Sequence, residues 1–253
     1  MIMMKEQLSE SMTVAQIAVD YPEAIHVFNC YNIDYCCGGN VSLKSTCDRI
    51  GLDPVKLVGD ISRLVSGNSS PSIRFQAWTD TLLVDYIVQN HHSYVRNAIP
   101  QIQQLLTKVV RSHGEDVTEL KNIQQEFSEL AEELLHHMHK EEYIVFPAIK
   151  QLDAGIHGTY PLALTIQAPV GSLVHEHESA GRLLKSIRSR SCNYTAPDFA
   201  CPTFRITYKM LEEFERDLLT HVHLENNILF ARVRERKMPG TPGKSESAVN
   251  ADV

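Results

Sequence analysis

Apolar residues recur at spacings of three and four along four long stretches of the chain, roughly residues 75–112, 116–151, 168–191 and 203–236. The connections "HGED", "DAGIHGTYP" and "SCNYTAPDFACP" separate them. Long amphipathic segments with shorter connections predict an all-α chain with an up-down-up-down four-helix bundle over residues 75–237. Pro100 falls inside the first segment and is expected to kink it. The start of the chain has a different rhythm. Between residues 13 and 65 the apolar pieces are short and are broken by Pro22, Gly38, Gly39, Gly51 and Pro54. That pattern predicts a small domain of three or four short helices, residues 1–66. The polar run "SGNSSPS" marks a linker, residues 67–74. Residues 238–253, polar and rich in Pro and Gly, read as a disordered tail.

The apolar stripes are interrupted in a regular way. The first reads Val84, Ile87, His91, Val95, Ala98. The second reads Ile123, Phe127, Leu130, Leu134, His137, Glu141, Ile144, Ala148. The third reads Val170, Leu173, His177, Ala180, Leu184, Ile187, and the fourth Leu211, Phe214, Leu218, His221, Glu225, Ile228. Each helix puts one histidine among core positions, and two add a glutamate one turn on, stacked at i+4. His92, His136, His175 and His223 fall off these stripes. A lone histidine on an apolar face is usually a satisfied core residue, and a lone His-x-x-x-Glu pair is common on helix surfaces. The joint pattern is not common. Two carboxylates buried without a cation would be costly, so a cation is expected beside them.

Register supports the same conclusion. In an antiparallel hairpin, residues equally far from the turn lie at one height. The midpoints of His91/His137, His137/His177 and His177/His221 are residues 114, 157 and 199, each inside a predicted turn. The four histidines therefore meet at one level. Four imidazoles and two carboxylates are too many donors for one tetrahedral zinc. Without thiolates the set does not suit an iron–sulfur cluster. Carboxylates that bridge two metals, with two imidazoles on each side, make a di-metal site of a kind that suits iron. Glu133, one turn before His137, and Glu176, beside His177, are either supports for these ligands or ordinary rim acids.

Composition narrows the class. Among 253 residues, 24 Lys and Arg stand against 31 Asp and Glu, a formal charge of −7, and no basic run argues for nucleic acid. No apolar run reaches membrane-spanning length, and "MIMMKEQLSESMT" lacks the apolar core of a signal peptide, which points to the cytoplasm. There, cysteines are more often metal ligands or redox thiols than bridges. Cys30, Cys47, Cys192 and Cys201 read as small apolar residues in or near helix ends. Cys36 and Cys37 are adjacent, in "DYCCGGN".

The stretches "DYCCGG", "HKEEYIVFP", "HESAG" and "HVHLENNILF" together resemble the iron–sulfur cluster repair di-iron proteins, a family often called RIC, within the hemerythrin-like bundles. The resemblance covers about residues 13–235. It implies two iron ions per chain, oxo- and carboxylate-bridged, held by His91, His137, Glu141, His177, His221 and Glu225. Two features depart from the family pattern: His92 follows His91 directly, and extra histidines flank the other ligands. In this family the small domain with paired cysteines precedes the bundle. Adjacent cysteines do not easily bridge each other. A turn before Gly38 and Gly39 can expose them, and a helix starting near Asn40 would acidify a thiol. They could then ligate a transient metal or react with another thiol or nitric oxide. The plainer reading is two small buried residues at a helix start.

The resemblance implies a stress protein that restores iron–sulfur clusters damaged by nitric oxide or oxidants, with the di-iron centre supplying iron. Iron–sulfur proteins would be its clients, and a homodimer is a family-level expectation. No residue is assigned a catalytic role. Two other readings stand beside it: an enzyme that reduces nitric oxide at the di-iron centre, and an oxygen or nitric-oxide carrier or sensor.

Overall fold

A computed structural model describes residues 8–67, 73–155 and 166–236. Most of the expected linker, most of the "DAGIHGTYP" connection and the tail expected at 238–253 lie outside the described residues. The N-terminal part forms four short helices: α1 (Val14–Asp20), α2 (Ala24–Cys30), α3 (Leu43–Ile50) and α4 (Pro54–Gly67). Local chemistry sets their ends. The Thr13 hydroxyl accepts from the Gln16 amide at 3.1 Å and the Ser42 hydroxyl from the Ser45 amide at 3.2 Å, capping α1 and α3. Gly51, at φ +71°, closes α3 in the left-handed region that side chains avoid.

Four long helices follow: α5 (80–113), α6 (119–153), α7 (Gln167–Arg190) and α8 (202–235). Helices adjacent in the chain pack side by side, and α5 also packs along α8, which closes the bundle. The helix runs on through Pro100. Three of the four contain a π turn: Ile87–His92 in α5, Glu141–Val145 in α6 and Leu224–Leu229 in α8. A π turn holds one residue more than an α turn, so the inward positions slip by one around it. The effect is visible in α6. The α repeat assigns Ile144 to the core, yet Ile144 is 59% exposed and Val145 is 1% exposed.

Two apolar layers fill the bundle. One contains Leu83, Ile87, Phe146, Ile149, Phe230 and Val233. The other contains Leu106, Ile123, Phe127, Leu130, Leu184 and Phe214. Each such side chain contributes about 1.5–3 kcal/mol on burial. The second layer is continuous with the core of the N-terminal helices, through Ile17, Phe28, Tyr35 and Leu43. The small N-terminal part therefore packs on the bundle. At the far end of the first layer, buried Asp80 pairs with Arg232 at 2.7 Å and with Arg236 at 2.5 Å, tying the start of α5 to the end of α8. Among the described residues no helix is long and apolar enough to cross a membrane.

Candidate metal centre

Between the two apolar layers lies a polar one, and all three π turns fall on it. Two groups of potential ligands meet there: His92, Glu141, His221 and Glu225, and His137, Glu141, His177 and Glu225. Both glutamates belong to both groups. Glu141 sets Oε2 3.3 Å from His92 Nε2 and Oε1 3.2 Å from His137 Nε2. Glu225 sets Oε1 2.9 Å from His221 Nε2 and Oε2 3.2 Å from His177 Nε2. Each carboxylate thus offers one oxygen to each pair of imidazoles.

The donor set fits metal ions on two observations. First, Glu141 and Glu225 are fully buried, and both Glu141 oxygens and Glu225 Oε2 accept no hydrogen bond from any described group. Bare buried carboxylates cost several kcal/mol each. Second, the imidazoles aim nitrogen at nitrogen: His92 Nε2 is 3.1 Å from His221 Nε2, and His137 Nε2 is 2.8 Å from His177 Nε2. Adjacent donors around an octahedral metal with bonds of about 2.1 Å are separated by about 3 Å. With no metal, the layer can neutralise itself only by taking up protons. Burial opposes this, but Glu141 and Glu225 outweigh it, holding His92 up at about 10 and His137 up at about 9. Metal binding would displace those protons.

The first helix departs from the sequence expectation in which imidazole it brings to the layer. His137, Glu141, His177, His221 and Glu225 meet in this layer, and the imidazole that joins them is His92, not His91. The π turn Ile87–His92 carries the slip: an α repeat aims residue 91 at the centre, and the extra residue brings 92 there instead. His91 is also buried, but its Nδ1 meets Asp217 Oδ1 at 2.9 Å and its ring stacks on His221 at 5.6 Å.

A shell of polar groups fixes the imidazoles. His92 Nδ1 meets Glu142 Oε1 at 2.6 Å, and Arg96 donates to the same oxygen. His137 Nδ1 meets Glu176 Oε2 at 3.0 Å, and Lys140 donates to Glu176 Oε1 at 2.6 Å. His177 Nδ1 meets Asn226 Oδ1 at 2.9 Å. With Nδ1 engaged, these rings present Nε2 to the centre. Of the two acids considered from sequence, Glu176 is in this shell, whereas Glu133 is exposed and holds none of these imidazoles. Glu142, Asn226 and Asp217 were not found from sequence. The one available signal was the pair Asn226–Asn227, poor helix formers in the middle of an apolar helix.

The paired cysteines lie against this layer. Asp34 Oδ1 accepts from the amides of Cys36, Cys37 and Gly38 at 3.2, 3.0 and 3.1 Å, which folds the turn around one carboxylate. Gly39 must be glycine: a Cβ there would sit 2.7 Å from the Tyr35 carbonyl oxygen. Lys185 of α7 donates to Asp34 at 2.6 Å, and Asn227 of α8 donates to the Tyr35 carbonyl at 2.9 Å. Cys37 Sγ comes within 3.5 Å of the His177 carbonyl oxygen, and the two sulfurs are 3.7 Å apart. The exposure and acidity expected of Cys36 are corrected here. Cys36 is 5% exposed, not open; the helix expected near Asn40 is α3, capped by Ser42 and beginning at Leu43. The Cys37 thiol, then burial, push the Cys36 thiol up, not down. His223, off the apolar stripe, is nonetheless buried under the turn, its ring 5.5 Å from that of Tyr35. His136 and His175 are exposed.

Comparison with known proteins identifies the family. A family model described as the hemerythrin HHE cation binding domain matches residues 83–233, and one described as a domain of unknown function, DUF542, matches residues 10–65. The iron-sulfur cluster repair protein YtfE of Yersinia pseudotuberculosis serotype IB (strain PB1/+) is 32% identical over 222 residues, 88% of this chain and 96% of that protein. The protein of the same name from Yersinia pestis (strain Pestoides F) matches at 32% with the same coverage. The chain belongs to the family of iron–sulfur cluster repair proteins built on a hemerythrin-type cation-binding bundle.

Proposed function

We propose that the polar layer holds two iron ions, one at His92 and His221 and one at His137 and His177, with Glu141 and Glu225 bridging. The observation that carries this reading is the division of each buried carboxylate, one oxygen toward each imidazole pair. Imidazole and carboxylate donors suit ferrous and ferric iron without the retention that thiolates impose. The activity is the one printed for the relatives: repair of damaged iron–sulfur clusters, with iron as cargo and iron–sulfur proteins as clients. We place it in the cytoplasm, in the response to nitrosative and oxidative stress. Cys36 and Cys37 contribute thiols for the hand-over, beside the backbone of His177, and do not hold the resident iron.

The test separates holding from handing over. The purified protein should carry two irons per chain. A Cys36→Ser/Cys37→Ser variant should keep both and fail to restore activity to a cluster-damaged enzyme in a reconstituted assay. Serine is close to cysteine in size, so little packing is lost. If the variant repairs the client as fast as the parent, the thiols are structural. If it loses iron, the thiols belong to the metal site and the division is wrong.

A further inference from the structure

The end of the bundle opposite the metal layer holds a second thiol in a reactive setting. Cys201 is the N-cap of α8, with extended backbone (φ −70°, ψ 165°) and Pro202 following it. The helix segment it caps runs unbroken for 22 residues to His223. His221 lies 20 residues further on, so Cys201 is about 30 Å from the metal layer along the helix. His113, the last residue of α5, brings Nε2 to 3.3 Å from Cys201 Sγ. That imidazole is flanked by the rings of Phe204 at 5.5 Å and Phe199 at 6.3 Å. The loop is pinned as well: Arg205 donates to the carbonyls of Pro197, Asp198 and Ala200. Cys201 itself remains partly open to solvent.

Two independent features favour the thiolate here: first-turn amides of a long helix, and an imidazole within hydrogen-bonding reach. The Phe204 amide, then His113, draw the thiol below its ordinary value. The titratable and charged groups around it are His113 from α5, Arg205 on its own helix and Asp198 in the loop. Arg205 spends its guanidinium on loop carbonyls. Cys36 is the opposite case, buried and pushed up. A nucleophile with its base in contact is the arrangement of an activated thiol.

We propose that Cys201 and His113 form a nucleophilic site for thiol–disulfide exchange with small disulfides of the glutathione disulfide class, separate from the Cys36–Cys37 turn. The Cys201 thiolate attacks one sulfur of the reagent and a Cys201–sulfur bond forms. The reagent's own sulfur–sulfur bond breaks, and its electron pair leaves with the other half as a thiolate. That thiolate takes the proton His113 received from Cys201, so one disulfide is made for one consumed. Free thiol in excess reverses the step.

The test is site-resolved mass spectrometry on the full-length, metal-loaded protein treated with glutathione disulfide at several pH values. Cys30 and Cys192 are the internal references, since both are exposed. As a thiol is acidified, gain in thiolate outruns loss of nucleophilicity by about threefold for each tenfold in acidity. Cys201 should therefore react faster than either reference at neutral pH, although it is less exposed. Its rate should reach half-maximum at a pH below that of an ordinary free thiol. His113→Gln should reduce that advantage and move the Cys201 profile to higher pH, leaving the reference rates and the metal content unchanged. Equal rates at Cys201 and Cys192 in the parent overturn the proposal, as does a Cys201 profile indifferent to His113→Gln. If that variant unfolds, all six cysteines become reactive, and the parent's profiles alone decide. The site stands apart from the iron reading: metal content and cluster repair are unaffected by its failure.

Discussion

Glu215 and the pair Glu141/Glu225 are buried carboxylates in one bundle, and the protein treats them differently. Glu215 is 4% exposed and faces Arg188, whose Nε donates to both oxygens at 3.1 and 2.9 Å while Nη2 donates a third bond. The pairing also holds the Arg188 guanidinium above its ordinary value, despite burial. Ten residues along α8, about 15 Å away, Glu225 sits with Glu141 among imidazoles and keeps an oxygen without a hydrogen bond. The first carboxylate is satisfied from within the chain. The second pair awaits charge from outside it. Burial of an acid is therefore not by itself the sign of a site; burial without a matching cation is.

The largest effects break the two cases in opposite directions. Glu141→Leu with Glu225→Leu should abolish metal binding, read by metal analysis, while the metal-free fold stays as stable or gains about 1–4 kcal/mol, because a buried cluster of carboxylates and protonated imidazoles gives way to apolar side chains and neutral rings. Arg188→Met should keep the metal and lose about 3–5 kcal/mol in a denaturant titration, because Glu215 is left alone. If the double leucine variant retains its metal, the carboxylates are not the bridge. If Arg188→Met costs nothing, Glu215 is not satisfied by Arg188 and the contrast fails.

Metal removal should be felt next, and with a pH signature. In the metal-free protein His92 and His137 have folded values of about 10 and about 9, above the ordinary 6.5. A raised folded value means that the folded form binds the proton more tightly. The stability this lends is complete below pH 6.5 and is lost as the pH rises through 9 and then 10. The metal-loaded protein has exchanged those protons for metal and has no such dependence. The gap in unfolding midpoint between the two forms should widen steadily from pH 6.5 to 10. A constant gap would mean that the imidazoles are not protonated in the metal-free layer.

Smaller changes separate neighbours in sequence. His92→Gln should lower the metal content toward one ion per chain, and His91→Gln should leave it intact. The reverse result would restore the α-helical register and remove the π turn from the account. Asn226→Ala frees His177 Nδ1 and should weaken metal binding by about 10- to 100-fold without abolishing it, measured by chelator competition.

These residues also show where sequence reading stopped. The four long helices, and the meeting of His137, Glu141, His177, His221 and Glu225, were legible because the 3.6-residue period is written in apolar side chains. Charged residues on that stripe stand out. The choice between His91 and His92 was not legible. A π turn changes backbone phase without changing residue types, so the same slip that exposes Ile144 and buries Val145 went unseen. Glu142, Asp217 and Asn226 were hidden for another reason. Each looks like an ordinary polar residue until a second helix supplies its partner. His223 and Cys36 were misjudged because their burial depends on the N-terminal turn docking against α7 and α8, a surface that no periodicity describes.

That docking suggests the gentlest test. Burial pushes the Asp34 carboxyl up, but Lys185 and the amides of Gly38 and Cys37 pull it further down, so it lies below its ordinary value of 3.8. A lowered folded value lends stability that is complete above pH 3.8 and disappears as the pH falls through the folded value. The cysteine turn should therefore stay closed at neutral pH and loosen only in strong acid. Asp34→Asn removes the charge at every pH. Hydrogen bonds to a charged group are worth about 1.5 kcal/mol or more, so protection of the Cys36, Cys37 and Gly38 amides against hydrogen exchange should fall about tenfold in the variant. In the parent, that protection should hold steady from pH 7 down to about 4 after correction for intrinsic exchange, while the variant shows no acid step. The bundle amides around Glu215 are the reference, since Arg188 is tied to α8 and not to the turn. Equal protection in parent and variant would mean that the turn is held by Tyr35 and Asn227 alone, with Asp34 a bystander.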